Sequence, residues 1–280
     1  MLPYVPLIFV ILFASCGPNE QKLDSAESET HYRLAIEFAQ YSLFKNSLDE
    51  FDLAIKHNPL NIKAYNKKGL VYFGIKEYGN AENMFKKVIS LQPDHLQAHI
   101  NLGMVKYMEG NKDGAVEIWE KAISLKEDDN DSKALNNIGN IHKEKKDYIQ
   151  AIKFYSEALS KDRNNPLYLN NLAESYRLSG RIKEAEQTLK VSLRLNPKGM
   201  LVHFNRGKLF KEEKKLGEAV KAFKRSLSVN PDYIDAYYEL ADIYFSKNEK
   251  DAALKIIEKG LAKDPENKKL EQIQTKIKVS

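Results

Sequence analysis

Pairs of short apolar runs at helical spacing, separated by a polar turn, recur along this chain. Segment 166–197 shows the pattern clearly, with the sequence PLYLNNLAESYRLSGRIKEAEQTLKVSLRLNP. Its two runs carry Leu169, Leu172, Ala173 and Tyr176, then Ile182, Ala185, Leu189 and Leu193. Spacings of three and four place each set on one face of a helix. Pro197 ends the second run, because proline cannot continue a helix. The segment therefore predicts a hairpin of two helices.

Prolines mark a period for this hairpin along most of the chain. Pro59 and Pro93, Pro197 and Pro231, and Pro231 and Pro265 are each 34 residues apart. The interval from Pro93 to Pro197 is three such periods plus two residues, and the extra two lie in an acidic stretch. A fixed period of this length is typical of repeat proteins. We therefore predict seven repeats, which are 28–61, 62–95, 96–131, 132–165, 166–199, 200–233 and 234–265.

Three positions of the repeat hold one kind of residue throughout, when the closing proline is numbered 32. Position 8 is always small: Ala35, Gly69, Gly103, Gly139, Ala173, Gly207 and Ala241. Position 20 is also small: Ser47, Ala81, Ala115, Ala151, Ala185, Ala219 and Ala253. Position 24 is large and apolar: Phe51, Phe85, Trp119, Tyr155, Leu189, Phe223 and Ile257. We expect the small residues to let two helices approach, and the large residue to fill the groove towards the next hairpin.

These columns resemble the tetratricopeptide repeat over residues 28–265. The resemblance implies an all-α, right-handed superhelical solenoid of seven hairpins, in which the first helix of each hairpin lines a concave groove that binds other proteins. Departures from the family's pattern are local. Lys68 and Arg206 stand at position 7, where leucine is usual, and Glu127 and Arg163 replace the closing proline.

A single apolar stripe follows the last repeat. Leu270, Ile273 and Ile277 lie on one helical face, and lysines fill the other. A stacked solenoid needs a terminal element that covers its last hairpin. We therefore predict a capping helix within 266–280, rather than a helix that lies on a membrane.

The N-terminal residues 1–16, MLPYVPLIFVILFASC, read as a processing signal. Their apolar run is far shorter than the roughly 20 residues that span a bilayer, but it has the length of a signal-peptide core. Cys16 is the chain's single cysteine and follows directly. This arrangement resembles the lipobox of bacterial lipoproteins, in which the signal is cleaved before a cysteine that is then lipidated. Phe13 stands where leucine is usual, and no Lys or Arg precedes the run.

We therefore expect a signal peptide over 1–15 and a lipid on Cys16, with residues 16–27 as a flexible tether. This reading predicts a bacterial envelope protein, anchored in the inner or the outer membrane. The alternatives are an ordinary cleaved signal, which would give a secreted or periplasmic protein, and an uncleaved apolar tail on a soluble adaptor.

Composition and charge exclude several function classes. An apolar content of 42% with 30% charged residues indicates a folded chain rather than a disordered one. A net charge of +5 is too mild to predict nucleic-acid binding. A single cysteine leaves no partner for an internal disulfide.

No group of residues in the sequence predicts catalysis, a cofactor or a metal site. His95 and His99 are four apart, but no third ligand is evident for them. The acidic stretch 128–131 lacks the glycine and the distal glutamate of a calcium loop. Packing positions 4 and 11 of the repeat hold His31, His99, His203 and His142.

Position 6, which the resemblance places on the concave side, holds asparagine in four consecutive repeats: Asn101, Asn137, Asn171 and Asn205. This column is similar to the asparagine ladder of the O-linked N-acetylglucosamine transferase, which grips the backbone of extended peptides. A primary amide both donates and accepts, as a peptide bond does, and each such bond nets about 0.5–1.5 kcal/mol. Neighbouring amides could widen the track: Asn136, Asn140 and Asn170. Alternatively, the column satisfies polar groups within the solenoid.

The other inward positions change in character along the chain. Repeats two and three offer Leu70, Phe73, Ile100, Met104, Tyr107 and Met108. Repeats four to six offer Lys143, Arg177, Lys208 and Lys211. We therefore predict a partner with an apolar part and an acidic part. In the fifth repeat, we expect the inward residues Asn170, Asn171, Glu174 and Arg177 to be free of packing. No repeat carries the Lys and Asn pair of a carboxylate clamp, so capture of a C-terminal carboxylate is not expected.

Two functions from different classes remain open at this point. The first is a non-enzymatic scaffold that binds an extended segment of another protein. The second is a glycan or cell-wall binding protein that uses the same groove, since Asn, Tyr and Trp suit sugars. Trp119 weakens the second reading, because it occupies packing position 24, where we expect it to be buried.

Overall fold

A computed structural model of the chain describes residues 24–125 and 131–279. Within these ranges the chain forms fifteen helices and no strand. The prediction of an all-α repeat fold with seven hairpins and a terminal helix is confirmed. In chain order the helices are α1 (Ser25–Gln40), α2 (Phe44–His57), α3 (Ile62–Gly74), α4 (Tyr78–Leu91), α5 (Leu96–Met108), α6 (Lys112–Ser124), α7 (Ser132–Glu144), α8 (Tyr148–Lys161), α9 (Pro166–Leu178), α10 (Ile182–Leu195), α11 (Met200–Glu212), α12 (Leu216–Val229), α13 (Ile234–Ser246), α14 (Lys250–Leu261) and α15 (Lys268–Val279).

The predicted signal peptide and lipid site Cys16 lie outside the described residues, as do most of the tether and the acidic stretch 126–130. None of the described helices is both long enough and apolar enough to cross a bilayer.

The chain divides into two compact units between Gln92 and Pro93. Helices α1–α4 form two hairpins in the first unit. Helices α5–α15 form five hairpins and the final helix in the second.

Side-chain caps define where several helices begin. Helix α1 begins at Ser25, three residues before the first predicted repeat, because the Asp24 carboxylate accepts a hydrogen bond of 3.0 Å from the Glu27 N–H. A capping carboxylate or amide satisfies a backbone donor that the first helical turn leaves without a partner. The same device starts α3, α6, α8 and α9, through Asn61, Asn111, Asp147 and Asn165.

The turn inside each hairpin uses the left-handed backbone region at one residue. Its φ values lie between 60° and 85° at Ser42, Lys76, Gly110, Lys146, Gly180, Lys214 and Asn248. This residue occupies position 15 of every repeat, so all seven turns share one geometry. Glycine adopts that region without steric cost, but it holds the position only in the third and fifth hairpins.

Aromatic rings at position 24 lie directly on the helix backbone at position 8. A Cβ atom added to Gly103 would come within 2.3 Å of Trp119 Nε1, and one added to Gly207 would come within 2.5 Å of Phe223. Trp119 also packs with Ile138 of the next hairpin. The expected roles of the small and the large positions are therefore confirmed.

Two histidines at position 4 of the repeat contact the turns that precede their helices. The Nε2 atoms of His99 and His203 lie 2.9 Å from the carbonyl oxygens of Pro93 and Pro197. Both histidines are buried, which confirms the packing role expected for them.

The final helix covers the last hairpin as predicted. Leu270, Ile273 and Ile277 are buried in one cluster with Tyr237 and Ile257. Helix α15 thereby protects apolar surface of α13 and α14 that a further repeat would otherwise cover.

Candidate functional site

The first helices of the five hairpins in the second unit are joined in series by side-chain bonds. We call the row formed by α5, α7, α9, α11 and α13 the first-helix face. Each neighbouring pair of helices has at least one bond, namely Tyr107 to Glu144, Asn171 to Asn136, Asn205 to Asn170, and Lys211 to Glu239. Most of the predicted site residues lie along this row.

Three amides and a tyrosine form a network between α7, α8 and α9. Asn171 Nδ2 donates to Asn136 Oδ1 at 2.8 Å and to Asn140 Oδ1 at 3.4 Å. Asn140 Oδ1 also accepts from the Tyr155 hydroxyl at 2.7 Å. Burial raises the pKa of Tyr155, so its hydroxyl remains a donor at neutral pH. These bonds hold the amides in defined orientations.

The same network leaves one side of two of these amides, Asn140 and Asn171, available. Among the described residues, Asn136 Nδ2, Asn140 Nδ2 and Asn171 Oδ1 have no hydrogen-bond partner. Asn140 and Asn171 are partly exposed, whereas Asn136 is only 5% exposed and serves to orient Asn171. One donor, on Asn140, and one acceptor, on Asn171, are therefore oriented in advance for an incoming polar group.

The remaining asparagines differ in what they bind. Asn205 and Asn170 are buried, and Asn205 Nδ2 lies 3.4 Å from the Asn170 carbonyl oxygen. Asn170 Oδ1 also accepts from Ser192 Oγ at 3.3 Å. Asn101 Oδ1 accepts from Gln97 Nε2 at 2.9 Å. Within the described ranges, Asn137 makes no side-chain hydrogen bond, and it lines a pocket instead.

This pocket lies between the third and fourth hairpins and has a volume of about 150 Å³. Met104 and the edge of Trp119 supply apolar surface. The complete lining is Met104, Tyr107, Trp119, Asn137, Asn140, Lys143 and Glu144. A small cavity that combines apolar surface with several polar groups suits one side chain of a bound segment.

A hydrogen-bonded acid fixes the position of the tyrosine in this pocket. The Tyr107 hydroxyl donates to the Glu144 carboxylate, and this bond raises the pKa of Tyr107 to about 12. Glu144 also accepts from Lys112 Nζ at 2.7 Å. Burial acts to raise the pKa of Glu144, but the bonds from Lys112 and Tyr107 outweigh it and lower the pKa. Glu144 therefore remains an acceptor at neutral pH.

Three of the four basic residues predicted on this face are paired with acids of the next hairpin. Lys143 Nζ lies 2.8 Å from Glu174 Oε2. Arg177 pairs with Glu212. Lys211 lies 2.5 Å from Glu239 and 2.7 Å from Asp242. These pairs link successive hairpins. They also neutralise the positive charge that we expected, from the sequence, to contact an acidic partner.

The expectation that Asn170 and Arg177 are free of packing is wrong. Arg177 is only 6% exposed, and its Nε and Nη2 atoms are buried with no hydrogen-bond partner in the part of the chain that the structure describes. The physical reason is the Glu212 carboxylate on α11, which draws the guanidinium between two helices. Asn170 is buried because Asn205 and Ser192 bond to it.

Lys208 differs from the other three cations. Its ammonium lies 5.7 Å from the centre of the Phe204 ring. No carboxylate among the described residues lies within ion-pair distance of it. Its charge is therefore the one of these four that an acidic group of a partner could neutralise.

Trp119 is unavailable as a stacking platform for a sugar. It is 1% exposed, and its indole N–H donates to the Ile100 carbonyl oxygen at 3.0 Å. The expectation that this residue is buried is confirmed. The glycan-binding hypothesis therefore lacks the tryptophan that would stack on a sugar.

Sequence reasoning missed the acids that complete this face. Glu144 and Glu212 are needed to understand the cations beside them. The available signal was a separation near one repeat length: Lys143 and Glu174 are 31 residues apart, and Arg177 and Glu212 are 35 apart. Residues at such separations face each other when adjacent hairpins stack.

Comparison with protein families identifies the repeat over most of the chain. Tetratricopeptide repeat models match residues 62–95 and 96–129, residues 130–198, and residues 211–277. A search of curated proteins gave no significant match.

Solved structures share the fold at low sequence identity. A tetratricopeptide repeat protein from Parabacteroides merdae has a TM-score of 0.71 and 14% identity, covering 91% of this chain and 99% of its own. The Cut9–Hcn1 structure of the APC/C has a TM-score of 0.70 and 16% identity, covering 90% of this chain and 46% of its own. The Pseudomonas aeruginosa pilF structure has a TM-score of 0.63 and 21% identity, covering 77% of this chain and 97% of its own. Similarity at these identities concerns the fold alone.

Proposed function

Because the chain belongs to the tetratricopeptide repeat family, we propose that it is a non-catalytic scaffold that binds an extended segment of another protein on the first-helix face. The family's stacked hairpins suit protein–protein interaction. Among the described residues, the polar groups of this face are arranged as paired or amide-bonded networks rather than as an activated nucleophile.

The amide network of Asn136, Asn140 and Asn171 carries this proposal. Its accessible atoms are a donor on Asn140 and an acceptor on Asn171, which are the groups that match the C=O and N–H of a peptide backbone. Because bonds within the protein already orient these amides, a ligand loses little additional side-chain entropy on binding them. Recognition through the backbone also depends little on the partner's sequence.

Selectivity then comes from the groups on either side of the network. The pocket around Met104 and Tyr107 accepts one apolar side chain of the segment. Lys208 offers a charge to an acidic side chain. We infer an extended segment with an apolar residue towards α5 and an acidic residue towards α11. The sequence predicted four basic residues that would contact an acidic part of the partner, and Lys208 is the one of the four that we retain for this contact.

Site-specific photocrosslinking tests where the partner binds. A crosslinking amino acid is placed at Asn137, at Lys208 and, as a control, at Lys183, which is exposed on α10. We expect the same partner to be crosslinked from Asn137 and Lys208 in intact cells, and not from Lys183. Crosslinking of that partner from Lys183 alone would exclude the first-helix face.

We further propose that a lipid on Cys16 anchors the scaffold at a bacterial envelope. The apolar segment directly before this cysteine supports the proposal. Metabolic labelling with a palmitate analogue should label the wild-type chain and fail to label Cys16→Ala. A Cys16→Ala protein that is still labelled would refute lipidation at this residue, and an unlabelled wild type would favour a secreted or soluble protein.

A further inference from the structure

Two histidines and a glutamate meet at the open end of the first hairpin. Glu27 and His31 lie four residues apart on one face of α1, and His57 is the last residue of α2. Potential ligand atoms of the three side chains all lie within 4.8 Å of one another. The Asp24 N–H donates to the His57 carbonyl oxygen at 3.1 Å, and this bond joins the two helix ends.

The separation of two of these groups matches ligands of one metal ion better than a hydrogen bond. His57 Nε2 lies 3.4 Å from Glu27 Oε2. This distance is longer than the roughly 2.7–3.2 Å that is usual for an N–H···O hydrogen bond. Zinc–ligand distances of about 2.0–2.1 Å in a tetrahedral site place neighbouring ligand atoms about 3.3 Å apart. The observed distance therefore leaves room for an ion between the imidazole and the carboxylate.

A fourth residue orients the other histidine. His31 Nδ1 lies 2.6 Å from Glu50 Oε2, which leaves Nε2 as the nitrogen that is free to bind a metal. A carboxylate on the far nitrogen of a metal-binding histidine fixes its tautomer and increases its basicity. The rings of His31 and His57 are also stacked, with centroids 5.4 Å apart and planes at 16°. Parallel rings do not direct their nitrogen lone pairs at a common point, so binding of one ion requires the imidazoles to turn out of this stacked arrangement.

We propose that Glu27, His31 and His57 bind a divalent transition-metal ion of the zinc class, and that Glu50 is a positioning residue. Two imidazole nitrogens and one carboxylate are ligands that zinc accepts, with a further position left for water. The site lies entirely in the first unit, so it is independent of the proposed peptide-binding face. Because its ligands come from both helices, a bound ion would clip α1 to α2 and stabilise the folded hairpin.

Zinc titration of the full chain, prepared without a histidine tag, tests the site. We expect the wild type to bind one ion, and His31→Gln and His57→Gln each to weaken binding at least tenfold. His142→Gln is the matched control, because His142 is similarly exposed and lies beside one carboxylate, Asp147. Cys16→Ser controls for binding by the thiol. Both controls should bind as the wild type does.

Glu50→Gln tests the positioning role without removing a ligand. We expect zinc affinity to fall by about 10- to 100-fold, as is typical when such an orienting carboxylate is lost. This variant also decides the question if the histidine variants fold poorly, which circular dichroism would reveal.

Thermal unfolding separates metal binding from simple ion pairing. Zinc should raise the Tm of the wild type and of His142→Gln, and should leave the Tm of the His31→Gln, His57→Gln double variant unchanged. The proposal is overturned if the wild type binds no zinc, or if the double variant binds zinc like the wild type. It is equally overturned if the variants lower the Tm while zinc changes the Tm of no protein.

Discussion

At the scale of single residues, a left-handed backbone angle recurs in every hairpin turn, and five of the seven residues that adopt it have a side chain. A left-handed conformation costs an L-residue roughly 1–2 kcal/mol because Cβ approaches the following carbonyl oxygen. The chain bears this cost at Lys146 but avoids it at Gly180. These two turns therefore allow the cost to be measured in both directions.

We predict that Lys146→Gly raises the free energy of unfolding by about 0.5–1 kcal/mol, since relief of strain exceeds the added chain entropy. Gly180→Ala should lower it by about 1 kcal/mol, because an added Cβ contacts nothing within 4 Å and only the backbone cost remains. Chemical denaturation measures both changes. Lys145→Gly is the control, since φ is −73° there and glycine relieves nothing. A gain in stability at Lys145 equal to that at Lys146 would contradict the account.

At the scale of the helix pair, the residue at position 8 and the ring at position 24 behave as one packing unit. Glycine at position 8 accompanies Trp119, Tyr155, Phe85 and Phe223, whereas Ala173 and Ala241 accompany the smaller Leu189 and Ile257. The exception is Ala35, which accompanies Phe51. The clashes that a Cβ would make explain why the two sizes vary together.

We predict that Gly103→Ala destabilises the chain by about 1–3 kcal/mol, as overpacking does. Trp119→Leu should also destabilise it, through lost packing and the lost bond to Ile100. The double variant should be more stable than the sum of the two effects implies, because leucine no longer meets the new methyl group. A double-mutant cycle measures this coupling, and strict additivity would contradict the packing unit.

Ion pairs link one hairpin to the next, and Arg177 is the most deeply buried of these cations. Replacing a buried charge with an apolar side chain is often neutral or favourable, whereas removing its partner leaves the charge unpaired. We predict that Arg177→Met leaves stability within about 1 kcal/mol of the wild type, while Glu212→Ala lowers it by about 1–3 kcal/mol. Glu213→Ala, on the neighbouring residue, is the control. Urea denaturation would contradict this if Arg177→Met were the more damaging change.

At the scale of the whole molecule, stability should depend on pH through these same groups. Lys143 and other cations outweigh burial and lower the pKa of Glu174. Glu174 therefore contributes to the free energy of unfolding above its ordinary pKa of 4.5. This contribution is lost as pH falls through the lowered pKa. Burial opposes protonation of Lys211, but bonds to Asp242 and Glu239 raise its pKa above the ordinary 10.5. Its contribution is lost only as pH rises through that raised value.

We therefore predict a free energy of unfolding that falls above about pH 10 and below about pH 5, with an earlier decline that starts near pH 6.5 because burial lowers the pKa of His203. Glu174→Gln should make the decline below pH 5 shallower, because one linked proton is removed. Lys208→Gln should have the smaller effect there, since this lysine makes no ion pair among the described residues. Urea denaturation over a pH series measures both. An acid limb of the same slope in Glu174→Gln would contradict this assignment.

The sequence predicts the hairpins and the cap well because their signals are local and periodic. Pro93, Pro197 and the small residues at position 8 each report on one helix pair. The pairing of Arg177 with Glu212 was not predictable in the same way, because it depends on how adjacent hairpins stack. The cluster of His31 and His57 escaped for a related reason, since packing at position 4 accounted for His31 by itself.

For Asn171, one property was predictable from the sequence and another was not. Its place on the first-helix face follows from the repeat, and binding of a peptide by the column stays a prediction. The alternative interpretation, that the column satisfies polar groups within the solenoid, describes Asn205, and Asn171 also bonds to Asn136 and Asn140. Asn137 makes no side-chain bond to the described residues, so changing it tests peptide binding without breaking such a bond.

The most direct test of the central claim is the affinity of the crosslinked partner segment, made as a peptide, for matched variants. Asn137→Ala with Lys208→Ala should weaken binding at least tenfold, since together they remove one neutral and one charge-assisted contact worth about 2–4 kcal/mol. Asn164→Ala with Lys221→Ala removes the same residue types from exposed positions outside the first-helix face and should bind as the wild type does. Equal affinity of all three proteins would contradict binding on the first-helix face.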